Sequence, residues 1–216
     1  MKKLMAMLIA GIMVCVTTTT TLAADIKKDE YQAVLDELNE EYSTDVHFAT
    51  GNESTFYSES NLIDITPEEF ELYIRKMIVE NEKANKEAKD SAIKLETKEI
   101  CEQGEGICYP LSEAISRISS TVNRAKKVAG ATVYLNATVT NSPGYWAYSS
   151  INNVYATYLP GENSTPAFYA SSYNYSLIDS RRTCALKLYG YTLGDYGVII
   201  DQNAQRYVEF WAGSGM

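Results

Sequence analysis

Apolar positions in the first half of the chain recur at helical spacing. In residues 29–42, DEYQAVLDELNEEY, they form one face of an amphipathic helix. The members of this face are Tyr31, Val34, Leu35, Leu38 and Tyr42. The stretch that follows, VHFATGNESTFYS, holds two short β-prone runs around Gly51-Asn52 and predicts a hairpin.

A second helix begins in the stretch NLIDITPEEF. Thr66 is suited to the N-cap and Pro67 to the first helical position, where its missing N–H costs nothing. Glu69 completes a capping box, and Ile65 can pack on Phe70 as a hydrophobic staple. Together these signals predict a helix start at Pro67.

The second helix carries an apolar stripe that thins from large residues to alanines. Its members are Phe70, Ile74, Met77, Ala84, Ala88 and Leu95. The later half, ENEKANKEAKDSAIKLETKE, is dense in alternating charge. We predict a long charged helix over about 67–99 that either projects into solvent or frays into a linker. It should end near Ile100, because Gly104 and Gly106 break it.

The pattern changes after the stretch YPLSEAISRISSTVNRAKK, which we interpret as a short helix or an irregular lead-in. The run ATVYLNATVT alternates apolar and polar positions and is the strongest strand pattern in the chain. Further strand-like runs are WAYSS, NNVYATYL, AFYASSYNYSLI, RTCALKLYGYTL, GVIID and RYVEFWA. Breakers between them include Gly194-Asp195 and Asp201-Gln202-Asn203. Such a series of short strands predicts an antiparallel β-sandwich or a small β-barrel.

The first residues, MKKLMAMLIAGIMVCVTTTTTLAA, run from a basic start through an apolar core to small residues. The apolar run is shorter than a membrane-spanning helix needs, and Thr21-Leu22-Ala23 fits a cleavage site. We expect residues 1–23 to be a secretory signal peptide, cleaved after Ala23 or Ala24, with a retained N-terminal anchor as the alternative. The protein would then be secreted.

Charge divides the remaining chain into two regions. The whole chain has a formal net charge of −9. Residues 24–110 hold 22 acidic and 9 basic side chains, whereas residues 111–216 hold 6 acidic and 8 basic ones. We therefore expect an α+β protein, with an acidic, mainly helical region at 24–110 and an all-β domain at 111–216. Without a basic stripe, we expect no nucleic-acid partner and no membrane partner after signal cleavage.

The stretch CEQGEGIC places Cys101 and Cys108 around two glycines. Zinc is disfavoured because it needs four ligands and a closer cysteine spacing, and six intervening residues are too many for a redox pair. Export favours oxidation, so we predict a Cys101–Cys108 disulfide that clamps the junction between the charged helix and the β region. A disulfide from either cysteine to Cys184 is the competing arrangement.

Cys184 offers one enzymatic hypothesis. In the run RRTCALKLYG it follows a threonine, with Arg181, Arg182 and Arg206 near it in sequence. This resembles the Thr-Cys end of the sortase signature, and the resemblance implies an exported β-barrel transpeptidase with a Cys–His–Arg site. The leucine of that signature is absent here, and the single histidine, His47, lies in the acidic region.

Both residues also have structural interpretations. Cys184 shares a strand face with Leu186 and Leu188, which is typical of a small buried side chain. His47 alternates with its apolar neighbours and would point to the solvated face. A single histidine also excludes multi-histidine metal sites, and no nucleotide-binding fingerprint or nucleophile elbow occurs. We therefore assign no catalytic residue, cofactor or metal ligand.

Tyrosine is the strongest compositional signal. Twelve of the 17 tyrosines lie between Tyr134 and Tyr207. In AFYASSYNYSLI, Tyr169, Tyr173 and Tyr175 are expected on one strand face, which is either an exposed aromatic surface or core. Such a surface would suit sugar rings or a protein partner.

These observations favour a secreted, non-catalytic binding or interaction protein of the bacterial exterior, with an unknown extracellular protein or glycan as ligand. A sortase-like cysteine transpeptidase using Cys184 is one alternative, and a secreted antimicrobial or toxin-like factor is another. By signal type, size and β-rich C-terminus, the chain resembles uncharacterised exported proteins of Gram-positive bacteria.

Overall fold

The computed structural model describes five stretches of the chain, residues 29–50, 65–108, 122–142, 145–158 and 165–213. The predicted signal peptide lies outside them, as does the second half of the hairpin predicted around Gly51-Asn52. Within them the fold is mixed α+β, with two helices and two antiparallel sheets.

Both predicted helices are present. Helix α1 covers residues 29–42, and helix α2 covers Pro67–Glu96. The predicted capping box closes the N-terminus of α2. The Glu69 N–H donates to Thr66 Oγ1 at 3.2 Å, and the Thr66 N–H donates to Glu69 Oε2 at 3.0 Å. Because the two groups satisfy each other, the helix start is fixed locally.

The described residues form eight strands, which match the predicted β-prone runs only in part. They are β1 His47–Phe48, β2 Ile100–Ile107, β3 Val122–Val128, β4 Ala131–Ser142, β5 Tyr145–Tyr158, β6 Ala167–Ile178, β7 Thr183–Leu193 and β8 Val198–Trp211. One sheet has the order β1-β8-β7-β6-β2, and the other has the order β3-β4-β5. The strand β3 occupies part of the stretch expected to be a short helix or an irregular lead-in.

The two sheets share one apolar core. The apolar face predicted for β4 is confirmed at Ala131, Val133, Leu135 and Ala137, which are all fully buried. Asn136, predicted on the polar face, is buried as well, next to a register shift in the pairing with β5. Facing members from the five-stranded sheet are Phe168, Tyr173, Leu177, Cys184, Leu186, Leu188, Ala204, Val208 and Phe210. The described strands form two open sheets, and no closed barrel is found among them.

Two strands are longer than predicted, because bulges absorb the residues that were expected to end them. Strand β5 joins the runs WAYSS and NNVYATYL, and its pairing with β4 shifts register twice. Strand β8 continues through Asp201-Gln202-Asn203, and its pairing with β7 shifts register on both sides of Thr192. A bulge inserts an extra residue that bends the strand without terminating the sheet.

All of the stretch CEQGEGIC except Cys108 lies in the edge strand β2. Gly104 and Gly106 lie in β2, opposite Tyr175 and Tyr173 of β6. A Cβ at Gly104 would stand 2.4 Å from the Tyr175 ring, and one at Gly106 would stand 2.5 Å from the Tyr173 hydroxyl. The tyrosine rings thus cover the glycines at the sheet edge. The prediction that these glycines break the helix is wrong, since α2 already ends at Glu96.

The predicted Cys101–Cys108 disulfide is wrong, because the residues between the two cysteines form an extended strand. Seven residue steps along an extended strand span about 23 Å, whereas the Cα atoms of a disulfide lie within about 7 Å. Cys101, Cys108 and Cys184 are all free thiols, so the competing pairings with Cys184 are absent as well.

An apolar cluster packs α1 and α2 against the start of β8. The Phe70 ring lies 4.9 Å from the Tyr31 ring and 6.1 Å from the Phe48 ring. The Tyr31 hydroxyl donates to the Ile65 carbonyl at 2.6 Å, and Ile65 packs against this cluster, as expected of a staple residue. The fully buried or nearly buried members are Tyr31, Leu35, Leu38, Val46, Phe70, Ile74, Met77, Ile78, Val198 and Ile200.

The acidic region is continuous with the five-stranded sheet, since it supplies both edge strands, β1 and β2. Helix α2 lies alongside β8: its first turns contact Val198 and Ile200, and Lys98 just beyond its end contacts Glu209 at 3.2 Å. A 30-residue helix is about 45 Å long and a 14-residue strand about 46 Å, so the two elements match in length. The long charged helix is therefore docked on the sheet, where it covers the edge of β8 that the two-residue strand β1 leaves unpaired.

No helix in the described stretches is both long and apolar enough to span a membrane.

A substitution of Gly190 in β7 tests how much the bulges contribute to stability. A Cβ there would stand 1.9 Å from the Tyr169 carbonyl oxygen, next to a register shift in β6. We expect Gly190→Ala to lower the free energy of unfolding by about 1–3 kcal/mol, because the β6 backbone must move away. Gly194→Ala is the control, since its Cβ would meet its nearest atom at 3.5 Å, and we expect a change within about 0.5 kcal/mol. Urea unfolding measures both, and equal effects would contradict this account.

Candidate functional site

Arg206 on β8 is a buried charged residue, with 2 % of its surface exposed. Its Nε donates to the Ala129 carbonyl at 2.9 Å, and its Nη1 donates to the Gln205 carbonyl at 2.8 Å. The guanidinium carbon lies 4.9 Å from the Phe168 ring centroid, within cation–π range. One side chain thus joins β8, β6 and the turn between β3 and β4.

Two asparagines of α2 connect Arg206 to a carboxylate. Asn85 Oδ1 accepts from Arg206 Nη1 at 2.9 Å, and Asn81 Oδ1 accepts from Nη2 at 3.1 Å. Both asparagine Nδ2 groups donate to Asp201 Oδ2, at 3.0 Å from Asn81 and 2.7 Å from Asn85. Positive and negative charge are therefore linked through two side-chain amides. We call Arg206, Asn81, Asn85 and Asp201 the Arg206 network.

The network keeps a buried charge satisfied. Burial lowers the pKa of Arg206 to about 10, and the charges of Asp201 and Glu87 oppose this change. The guanidinium is consequently still charged at neutral pH, where its donors need acceptors. The amide and carbonyl oxygens around it supply them.

The same network holds the polar segment of β8 in place. Asn85 Oδ1 also accepts from the Gln205 N–H at 2.9 Å, and Asp201 Oδ1 accepts from the Asn203 N–H at 2.7 Å. The Gln202 side chain is held separately, with its Nε2 at 3.1 Å from His47 Nε2. The backbone of Asn203 and Gln205 and the side chain of Gln202 are thereby anchored.

A shallow polar depression of about 240 Å³ lies on the five-stranded sheet beside this segment. It is lined by Ser171, Tyr189, Gly190, Tyr191, Gln202, Asn203, Ala204 and Gln205. None of these side chains carries a charge. We call this set the amide–tyrosine depression.

The depression forms where bulges converge. The β6–β7 pairing shifts between Ala170 and Ser172, and the β7–β8 pairing shifts on either side of Thr192. Between them lies Gly190, whose close approach to the Tyr169 carbonyl leaves no room for a side chain. Because bulges bend strands and redirect side chains, the regular sheet surface is interrupted at this point.

A stack of three tyrosines ends at the depression. The rings of Tyr158 and Tyr169 lie 4.9 Å apart, and those of Tyr169 and Tyr191 lie 5.0 Å apart with planes within 3°. The three residues come from β5, β6 and β7, so the stack also joins the two sheets. Tyr191 is the member that lines the depression.

Tyr189 extends the site toward the other end of β7. It lines both the depression and a neighbouring groove of about 480 Å³ between the end of α2 and strands β2, β6 and β7. Asn174 Nδ2 donates to the Tyr189 hydroxyl at 3.4 Å, and Lys187 Nζ lies 5.4 Å from its ring centroid. The charged residues lining the groove are Glu96, Glu105 and Lys187.

The prediction that Tyr169, Tyr173 and Tyr175 share one face is wrong. Tyr173 belongs to the shared core and Tyr175 packs against it, whereas Tyr169 belongs to the tyrosine stack. The bulge at Ser171 inserts one residue between them and reverses the alternation.

The structure does not bring Cys184 and His47 together. Cys184 is opposite Phe210 on β8, and His47 is opposite Ile199, eleven residues away or about 36 Å along a strand. Cys184 is fully buried in the shared core, which confirms its interpretation as a small packed side chain. Burial also raises the pKa of its thiol, which disfavours the nucleophilic thiolate.

The arginines near Cys184 in sequence are engaged elsewhere. Arg181 Nη1 contacts Glu102 Oε2 at 2.7 Å, and the guanidinium carbon of Arg182 lies 5.7 Å from the Tyr145 ring centroid. Arg206 belongs to its own network. Over the stretches that the structure describes, no group of three or more His, Cys, Asp or Glu residues could hold a metal ion.

The sequence did not predict that Arg206, Asn81, Asn85 and Asp201 form a network. Asn81 occupies a position on the apolar stripe of α2, between Met77 and Ala84, and Asn85 follows one turn later. An amide on a buried stripe is a signal of a buried polar contact, because such a group needs a partner. The segment Asp201-Gln202-Asn203 contains only residues typical of turns, so it predicts the end of a strand. That pattern gives no sign that Asp201 accepts hydrogen bonds from both asparagines.

Thiol reactivity tests the cysteine assignments. Cys101 is exposed, whereas burial raises the pKa of Cys108 to about 12 and also raises that of Cys184. We expect iodoacetamide at mildly alkaline pH to modify Cys101 in the native protein and to modify Cys108 and Cys184 only after denaturation. Peptide mass mapping identifies the modified residues. Rapid native modification of Cys184, or a non-reduced peptide linked to Cys101, would overturn the assignment.

A scan against protein-family models finds no match to this chain, and searches of curated proteins and of solved structures find none either.

Proposed function

We propose that the protein is a secreted, non-catalytic binding protein of the bacterial exterior, whose ligand binds at the amide–tyrosine depression. The observation that carries the proposal is the uncharged set of amides, hydroxyls and tyrosine rings at a point where bulges interrupt the sheet. Such groups bind by hydrogen bonds and ring contacts. They are not groups that transfer protons readily near neutral pH.

The anchoring of the β8 segment that carries the amides supports a binding role. Sites whose polar groups are already held in place lose less conformational entropy when a ligand arrives. The backbone of Asn203 and Gln205 is held by Asp201 and Asn85, and the Gln202 side chain is held by His47. The Arg206 network therefore acts as a support beneath the depression.

The proposal includes a β-sandwich architecture, supported by the core that both sheets share. Tyr189 and Tyr191 alternate along β7 with Leu186 and Leu188, so they belong to the face that points away from this core. Export is supported by the basic, apolar and small-residue order of residues 1–23.

Sedimentation of the secreted form with insoluble cell-wall and host-surface material tests the proposal. Wild-type protein should pellet with at least one of them. Tyr191→Ala should bind about tenfold more weakly, because an aromatic contact contributes up to about 1.5 kcal/mol. Gln202→Ala should also bind more weakly, and it leaves the tyrosine stack intact.

The control is Tyr145→Ala, which removes another partly exposed tyrosine, at the end of the sheets where Tyr145 donates to the Ser180 carbonyl. It should bind as wild type does. Failure of wild-type protein to bind either material, or full binding by both Tyr191→Ala and Gln202→Ala, would refute the proposal.

A further inference from the structure

We infer that the ligand of the amide–tyrosine depression is an uncharged polysaccharide chain that continues along β7 into the neighbouring groove. This inference rests on the proposed function and specifies the chemistry of its ligand. Four properties of the site lead to it.

The first property is charge. Charged residues make up 22% of the chain, yet none lines the depression. An anionic ligand would find no cation there and would approach a protein of net charge −9. A cationic ligand would find no carboxylate among the lining residues. The site is therefore matched to a ligand that carries no charge at this position.

The second property is the balance of donors and acceptors. Gln202, Asn203 and Gln205 each combine an N–H₂ donor with a carbonyl acceptor, and Ser171 and the tyrosines carry hydroxyls. A sugar hydroxyl likewise donates one hydrogen bond and accepts others. A side-chain amide can thus donate a hydrogen bond to one hydroxyl of a sugar ring and accept one from its neighbour. The residues that line the depression therefore match the hydroxyls of a sugar.

The third property is the tyrosine stack. It crosses β5, β6 and β7 through Tyr158, Tyr169 and Tyr191, and the depression lies next to it on the β8 side. A ring bound in the depression would add one member to the stack. The C–H groups on the face of a pyranose ring give it an apolar surface for contact with an aromatic ring, while its hydroxyls point outward to the amides.

The fourth property is the shape of the surface. The depression, at about 240 Å³, is below the size range of pockets that enclose a whole small molecule, roughly 300–1,000 Å³. It opens beside a groove of about 480 Å³ that shares Tyr189 with it. From Ala185 in the groove to Tyr191 in the depression, β7 advances six residues, or about 20 Å. An elongated polymer fits this surface better than a compact molecule.

The position of the site also disfavours a peptide ligand. A peptide that binds by strand addition needs an unpaired sheet edge. The depression lies across β6, β7 and β8, in the interior of the sheet order, where β7 is paired on both sides. The depression offers side-chain amides and hydroxyls and no free backbone edge, so it suits a glycan better than a peptide segment.

Affinity electrophoresis with the secreted form tests the inference. The gels contain soluble uncharged polysaccharides (a β-glucan, starch, a mannan and a galactan) or anionic ones (alginate and hyaluronan). We expect retardation in at least one uncharged gel, unchanged by added salt because no ion pair forms. Tyr191→Ala and Gln202→Ala should each raise the dissociation constant about tenfold, while Tyr145→Ala should match wild type.

Retardation in none of the uncharged gels, or only in the anionic ones, would overturn the inference. The inference would also be overturned if Tyr191→Ala and Gln202→Ala were both retarded as strongly as the wild-type protein, because the glycan would then bind elsewhere. If the protein still sediments with cell-surface material and protease treatment of that material abolishes binding, the ligand is a protein. The inference then fails while the binding function stands, whereas loss of all sedimentation removes the binding function itself.

Discussion

The buried charge of Arg206 is the constraint on which the rest of the structure depends. Leaving a buried charge without hydrogen-bonding partners costs several kcal/mol, so its donors need acceptors. Arg206 makes four such hydrogen bonds on three separate elements: to Asn81 and Asn85 on α2, to Gln205 on β8, and to Ala129 in the β3–β4 turn. Any movement of the helix or of the smaller sheet would break these contacts, so one side chain determines how three elements pack.

The same constraint shapes the candidate site. Helix α2 covers the β8 edge, and Asn85 accepts from the Gln205 N–H that the edge would otherwise expose. The polar segment of β8 can then bulge and remain ordered, since Asp201 and Asn85 hold its backbone. The amides beside the tyrosine stack are a consequence of that arrangement. Stability and the proposed binding thus share one set of contacts.

Local patterns predicted the local elements. The stripe of α1, the capping box at Thr66 and the apolar face of β4 from Ala131 to Ala137 each have their cause within a few residues, and all three are confirmed. The errors concern long-range pairing. CEQGEGIC contains glycines and polar residues, which predict a loop, and only pairing with the tyrosines of β6 makes it a strand. The bulges at Ser171 and beside Thr192 depend on neighbouring strands. The side of the sheet on which the tyrosines lie, and the depression between the bulges, could therefore not be predicted from the sequence.

A double-mutant cycle between Arg206 and Asn81 tests the central claim most directly. Arg206→Met, Asn81→Ala and the double variant are compared by the free energy of unfolding in urea. If the two side chains act in one buried network, their effects should be non-additive by about 0.5–3 kcal/mol, because once one partner is lost the other has less left to lose. Additivity within about 0.3 kcal/mol would show that Arg206 and α2 are not energetically coupled, and would contradict the account.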